Sequence, residues 1–118
     1  MNGRPHERLD VWQKSIELVE MIYKITKRFP KEEVYGLVTQ MRRAAISVSS
    51  NIAEGAARHT KSEFRQFLFM SRGSLSELET ELFISFRLGY ILPEKYKEIL
   101  ELTNKIGSML TALIKSIK

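Results

Sequence analysis

The sequence contains no cysteine, which excludes disulfides, thiolate metal sites and cysteine nucleophiles and fits a reducing compartment. Histidine is nearly absent as well. His6 and His59 lie far apart and outside any Glu-x-x-His or His-x-x-x-His arrangement, so a zinc or di-iron site has nothing to be built from. No apolar run approaches the roughly 20 residues that a membrane span requires, and the opening "MNGRPHERLD" lacks the apolar core of a signal peptide. A soluble, cytoplasmic protein without a membrane partner is expected. No Gly-rich phosphate loop occurs, and no Ser, His and Asp set has the chain context of a hydrolase. No catalytic residue, metal or cofactor is expected.

What is present is a globular composition, with 43% hydrophobic and 28% charged residues in 118 positions. That length suits a single domain over 1–118 with a real core, and residues 1–8 read as a flexible N-terminal tail. The net charge is +5 and the sequence pI about 9.6. The charge is polarised along the chain. From Arg42 to Arg72, Arg42, Arg43, Arg58, Lys61, Arg65 and Arg72 face only Glu54 and Glu63. From Gly73 to Glu101 the balance reverses, with Glu77, Glu79, Glu81, Glu94, Glu98 and Glu101 against Arg87, Lys95 and Lys97.

Hydrophobic spacing of three and four residues predicts four helices and no strand. The first runs from about Asp10, as N-cap, to Phe29, and Pro30 ends it. The second runs from Glu33 or Tyr35 to Ala57 with Leu37, Met41, Ala45, Val48, Ile52 and Ala56 facing the core. Thr60 followed by Glu63 is a capping box that starts the third, which continues to about Leu88 with Phe64, Leu68, Ser71, Leu75, Leu78, Leu82 and Phe86 inward. Gly89 suits a left-handed helix end and Pro93 the first turn of the fourth helix. Its expected stripe is Ile99, Leu102, Ile106, Met109 or Leu110, Leu113 and Ile117. Helices of this length rise roughly 30 to 40 Å and can lie side by side, and short connections make neighbours antiparallel. The fold class is therefore all-α, an up-down-up-down antiparallel four-helix bundle.

The second helix is unusual in its middle, where "SVSSNIAEGAA" holds almost no bulk. One stripe, Arg42, Ile46, Ser49, Ala53 and Ala57, is small or apolar beside the core stripe. Small side chains let helix backbones approach closely, so a second small face suggests packing against another copy of the chain. The alternative is that Ala and Ser are merely neutral surface residues. Mid-helix Ser, Asn and Gly cost propensity, which an interface would offset.

The segments "LDVWQKSIELVEMIYKITKRFP", "YGLVTQMRRAAISVSSNIAEGAAR" and "KSEFRQFLFMSRGSLSELETELFISFRLGYI" resemble the bacterial four-helix-bundle family encoded in intervening sequences of 23S ribosomal RNA genes. The similarity covers roughly Leu9 to Lys105. It implies a left-handed bundle assembled into a ring-shaped homopentamer. The chain is also similar to the accessory protein of diversity-generating retroelements, which implies binding of nucleic acid and a reverse transcriptase-type partner through a basic surface of the ring. The family implies no catalytic residue.

Arg43, Arg58, Lys61, Arg65 and Arg72 are the candidate nucleic-acid-binding residues, forming a surface that becomes continuous when subunits repeat. They could instead pair with Glu54, Glu63 and the acidic run of a neighbouring subunit. A pentamer would pool about +25 of formal charge, enough to hold phosphate backbones of ribosomal RNA or another nucleic acid without reading sequence. Phe64, Phe67 and Phe69 read as core or interface rather than as stacking platforms. Glu77 and Glu81 share a helix face and read as a solvated or interfacial acidic run rather than a catalytic pair. The competing function is a protein-interaction scaffold or accessory subunit that binds no nucleic acid.

Overall fold

The computed structural model describes residues 4–117. Its helices are α1 (Asp10–Thr26), α2 (Thr39–Ala56), α3 (Lys61–Arg87) and α4 (Pro93–Ser116), with no strand among the described residues. Of the segment read as a tail, Met1 to Gly3 lie outside the described residues. Pro5–Arg8 wind into a 3-10 turn against α1 and α2, and the His6 ring meets Trp12 edge-on at 4.8 Å.

Contacts run α1 to α2, α2 to α3, α3 to α4 and α4 back to α1, a closed four-helix bundle 43 × 23 × 22 Å in extent. Neighbours are antiparallel. Arg42 near the start of α2 bonds Thr26 at the end of α1, Met41 meets Ser85, and Arg65 near the start of α3 reaches the Ile114 carbonyl near the end of α4. Leu18, Ile22, Met41, Ile52, Leu68, Leu78, Leu82, Ile99, Ile106 and Leu110 are fully buried along the common axis.

The helix ends follow local chemistry. The Thr60 hydroxyl accepts from the Glu63 N–H at 3.1 Å and donates to the Glu63 carboxylate at 3.0 Å, which starts α3. Gly89 takes φ +83° and closes α3: its N–H bonds the Phe86 carbonyl while the Tyr90 N–H reaches back to Ser85. Pro93 opens α4 as expected.

Three boundaries differ from expectation. Asp10 is the first residue of α1, and extended Leu9 holds the cap position without a side-chain bond. The α1 helix stops at Thr26, because the N–H groups of Arg28 and Phe29 tighten onto the carbonyls of Ile25 and Thr26. The start of α2 lies at Thr39, not at Glu33 or Tyr35. Gly36 leaves the helical region (φ −119°, ψ −111°), so Lys31–Glu33 is a 3-10 turn and Val34–Val38 a π turn, and the Thr39 hydroxyl bonds the Val34 carbonyl.

The core stripes also shift. Val38 is buried and Leu37 half-buried, while on α4 the buried set is Ile99, Thr103, Ile106, Leu110 and Ile114, leaving Leu102, Met109 and Leu113 at the flank. Thr103 is fully buried without cost because its hydroxyl bonds the Leu100 carbonyl at 3.1 Å. Ser15, Thr26 and Ser85 use the same device.

The small residues of α2 serve the protomer first. A Cβ on Gly55 would sit 2.7 Å from the Phe67 Cβ and 3.1 Å from the Phe64 carbonyl, so only glycine allows α3 this close. Ser71 donates to the Val48 carbonyl at 2.7 Å, and the Ser47 and Ser74 hydroxyls share a bond of 2.8 Å. Asn51 donates to the Ser47 carbonyl and hydroxyl. Ser47 and Asn51 are therefore half-buried at the α2–α3 seam.

Candidate nucleic-acid interface

The five candidate cations separate into groups. Lys61, Arg65 and Arg72 follow one another along α3 on the flank that meets α4. Arg65 Nε donates to the Ile114 carbonyl at 3.3 Å and Arg72 Nη1 to the Thr111 hydroxyl at 3.2 Å. Both guanidiniums bracket the Phe69 ring, at 5.6 and 5.0 Å from its centroid. Phe69 is 40% exposed, so the ring and its cations reach solvent together. Lys61, Ser62, Arg65, Gln66, Phe69 and Ile117 line a cavity of about 370 Å³ there. Farther along the α3–α4 groove a second cavity, of about 600 Å³, adds Lys115 beside Arg72. Lys61, Arg65 and Arg72 have no carboxylate within ion-pair distance among the described residues.

Arg58 and Arg43 stand elsewhere. Arg58 pairs with Glu54 at 2.7 Å and covers Phe67 at 4.7 Å, so much of its charge is satisfied within the protomer. Arg43 is exposed on α2, which lies diagonal to α4 and away from the α3–α4 groove. Phe64 and Phe67 are half-buried at the α2–α3 seam. Phe69 and Lys115 were missed as site residues. Arg65, Phe69 and Arg72 recur at i, i+4 and i+7, a spacing that brings them onto one helix face.

The stripe expected to meet another copy also divides. Arg42 is half-buried, with Nε on the Thr26 hydroxyl at 3.0 Å and its guanidinium 4.3 Å from the Tyr23 ring centre, and Ser49 is buried with its hydroxyl on the Ile46 carbonyl. Ile46 and Ala57 remain exposed and Ala53 half-buried. More apolar surface faces outward on α3 than on α2: Met70, Phe83 and Ile84 are each more than 40% exposed, and Leu88 follows at the helix end. Gly73, one turn from Met70, has no atom within 4 Å of where a Cβ would be. Nothing within the protomer requires glycine there.

Glu81 differs from the solvated reading of the acidic run. It is buried, and its Oε1 has no hydrogen-bond partner. Burial, then the neighbouring Glu77 carboxylate and a hydrogen bond with it, push its carboxyl from 4.5 up to about 7. Glu77 itself is exposed. Among the described residues no group of three or more His, Cys, Asp or Glu could hold a metal ion, and no helix is long and apolar enough to cross a membrane.

Comparison with known proteins places this architecture. A crystal structure of a protein of the S23 ribosomal protein family from Bacteroides thetaiotaomicron is similar, with a TM-score of 0.82 and 26% identity over 89% of this chain and 95% of that one. A search of curated proteins returned no match. Residues 7–112 match the family described as 23S rRNA-intervening sequence protein, a span covering all of α1, α2 and α3 and most of α4, and the chain belongs to that family.

Proposed function

We propose that the protein is a non-enzymatic homo-oligomer, a ring of five copies as the resemblance implies, that holds the phosphate backbone of structured RNA along the α3–α4 flank. The carrying observation is the Arg65–Phe69–Arg72 cluster: two guanidiniums held over an exposed ring, with Lys61 close in sequence and no ion-paired carboxylate among the described residues. Guanidiniums anchored by the Ile114 carbonyl and Thr111 hydroxyl lose little side-chain freedom on meeting a phosphate. Such contacts position a backbone without specifying bases.

Assembly rests on the outward face of α3. A mid-helix glycine costs about 1 kcal/mol relative to alanine, and Gly73, one turn from exposed Met70, meets nothing within the protomer that offsets it. A second helix packed there would. The same apolar face supports the second reading, an interaction scaffold whose partner is a protein and whose charge serves solubility.

Anisotropy of a labelled 23S rRNA fragment separates the two readings. The variant Lys61→Gln, Arg65→Gln, Arg72→Gln should weaken binding at least about 30-fold at unchanged helicity, at roughly 0.7 kcal/mol or more per lost phosphate contact. Equal binding by wild type and variant would remove the RNA reading of this face.

A further inference from the structure

At the opposite end of the bundle a second kind of site is built. The C-terminal end of α1 and the turn joining α3 to α4 flank a half-open hollow of about 550 Å³. Its apolar lining is formed by Met21, Ile25, Ile91 and Leu92 with the Tyr90 ring. The Tyr90 ring is fixed from behind, because its hydroxyl donates to the Glu33 carboxylate at 2.9 Å and the ring meets buried Phe29 at a tilt of 52° with 5.3 Å between centroids. The wall is preformed. Leu92, 72% exposed, stands at the mouth.

The rim is mostly cationic, four basic side chains against the single carboxylate of Glu98. Lys24 comes from the last turn of α1, Lys27 and Arg28 from the turn just past it, and Lys95 from the first turn of α4. Only Lys95 has an ion-pair partner among the described residues, Glu98 at 3.4 Å, which also lines the cavity. Cations at the end of a helix are favoured by its dipole, and that accounts for Lys24, Lys27 and Arg28 as isolated residues. It does not account for their convergence on an apolar hollow. A concave apolar interior of about 300 to 1,000 Å³ with a few convergent polar groups is the usual form of a small-molecule site.

We propose that this cavity binds a small anionic amphiphile, a carboxylate or phosphate monoester whose acyl or aromatic body enters between Ile25, Ile91 and Tyr90 while its head meets Lys24, Lys27 and Arg28. The site is independent of the RNA reading. Arg65 bonds the last turn of α4 whereas Lys95 lies in its first, and a helix of 24 residues separates its ends by about 36 Å. The head group selects by charge, and the apolar body supplies affinity through area removed from water.

The test uses the full chain with methyl-labelled Ile, Leu and Met, titrated by NMR with decanoate in one arm and 1-naphthyl phosphate in the other. Decanol and 1-naphthol are the neutral controls. Saturable shifts confined to the methyls of Met21, Ile25, Ile91 and Leu92 are expected in at least one arm, and the responding arm tells the acyl carboxylate from the aromatic phosphate. The neutral analogue should bind about tenfold or more weakly, and Arg28→Glu, an exposed position, should weaken the anion by about tenfold with the remaining methyl spectrum unchanged. No saturable shift in either arm at about millimolar ligand would overturn the proposal. Equal binding of neutral analogues, or shifts spread over methyls at the Phe69 end, would overturn it equally.

Discussion

The carboxyl of Glu81 makes a prediction whose size follows from the structure. Held at about 7 rather than 4.5, it prefers its protonated form by about 3 kcal/mol when folded, at about 1.4 kcal/mol per unit of pH. Part of the cause is the charge of exposed Glu77, which solvent screens, so about 2 kcal/mol is the working figure. The raised value means that the folded state keeps a proton the unfolded chain has lost. The associated stability is fully present below about 4.5, declines as pH rises, and is gone above about 7. Glu81→Gln keeps the shape and removes the ionisation. Urea unfolding at fixed protomer concentration should find the variant within about 0.5 kcal/mol of wild type at pH 4 and about 2 kcal/mol more stable at pH 8. The difference between wild type and variant cancels the titration of every group that does not interact with Glu81. A pH-independent difference, or a variant less stable than wild type at pH 8, would refute the reasoning.

Two glycines test opposite consequences of the same missing Cβ. Gly55→Ala gains about 1 kcal/mol of helix propensity but must displace Phe67 and the Phe64 backbone, which costs about 1 to 3 kcal/mol, so thermal unfolding should shift down by a few degrees. An unchanged or raised midpoint would show that α2 and α3 separate easily. Gly73→Leu meets empty space within the protomer, so its helicity by circular dichroism should match wild type while the mass by light scattering falls. Unchanged mass would place the outward face of α3 in solvent.

The bundle was legible because its longest segments keep one apolar period. Leu68, Leu75, Leu78 and Leu82 hold the α3 stripe as spaced, and Thr60, Gly89 and Pro93 mark ends by their own backbone chemistry. The start of α2 was not legible, because periodicity continues through Leu37 and Met41 while the backbone breaks at Gly36. Thr103 was missed as a core residue because a hydroxyl that bonds its own helix becomes apolar in effect. The small residues of α2 were assigned to a neighbouring copy, yet Gly55, Ser47 and Asn51 lie at the seam with α3. Nothing in a single helix wheel tells a partner helix of the same chain from one of another. At the candidate site, the placement of Lys61, Arg65 and Arg72 on one face follows from helical spacing, whereas the pairing of Arg58 with Glu54 competes with any role in binding. The cavity at the end of α1 joins residues nearly 70 positions apart in the chain, such as Met21 and Tyr90, which no local pattern reveals.

The pooled positive field of an assembled basic face is tested most directly by the salt dependence of RNA binding. A lone protomer using Arg43, Arg58, Lys61, Arg65, Arg72 and Lys115 together neutralises no more phosphates than those six cations, a slope of log K against log salt no steeper than about −5.4. Copies that share one RNA should give a slope steeper than about −5.4, and a slope at or below that magnitude, or none, would contradict the account.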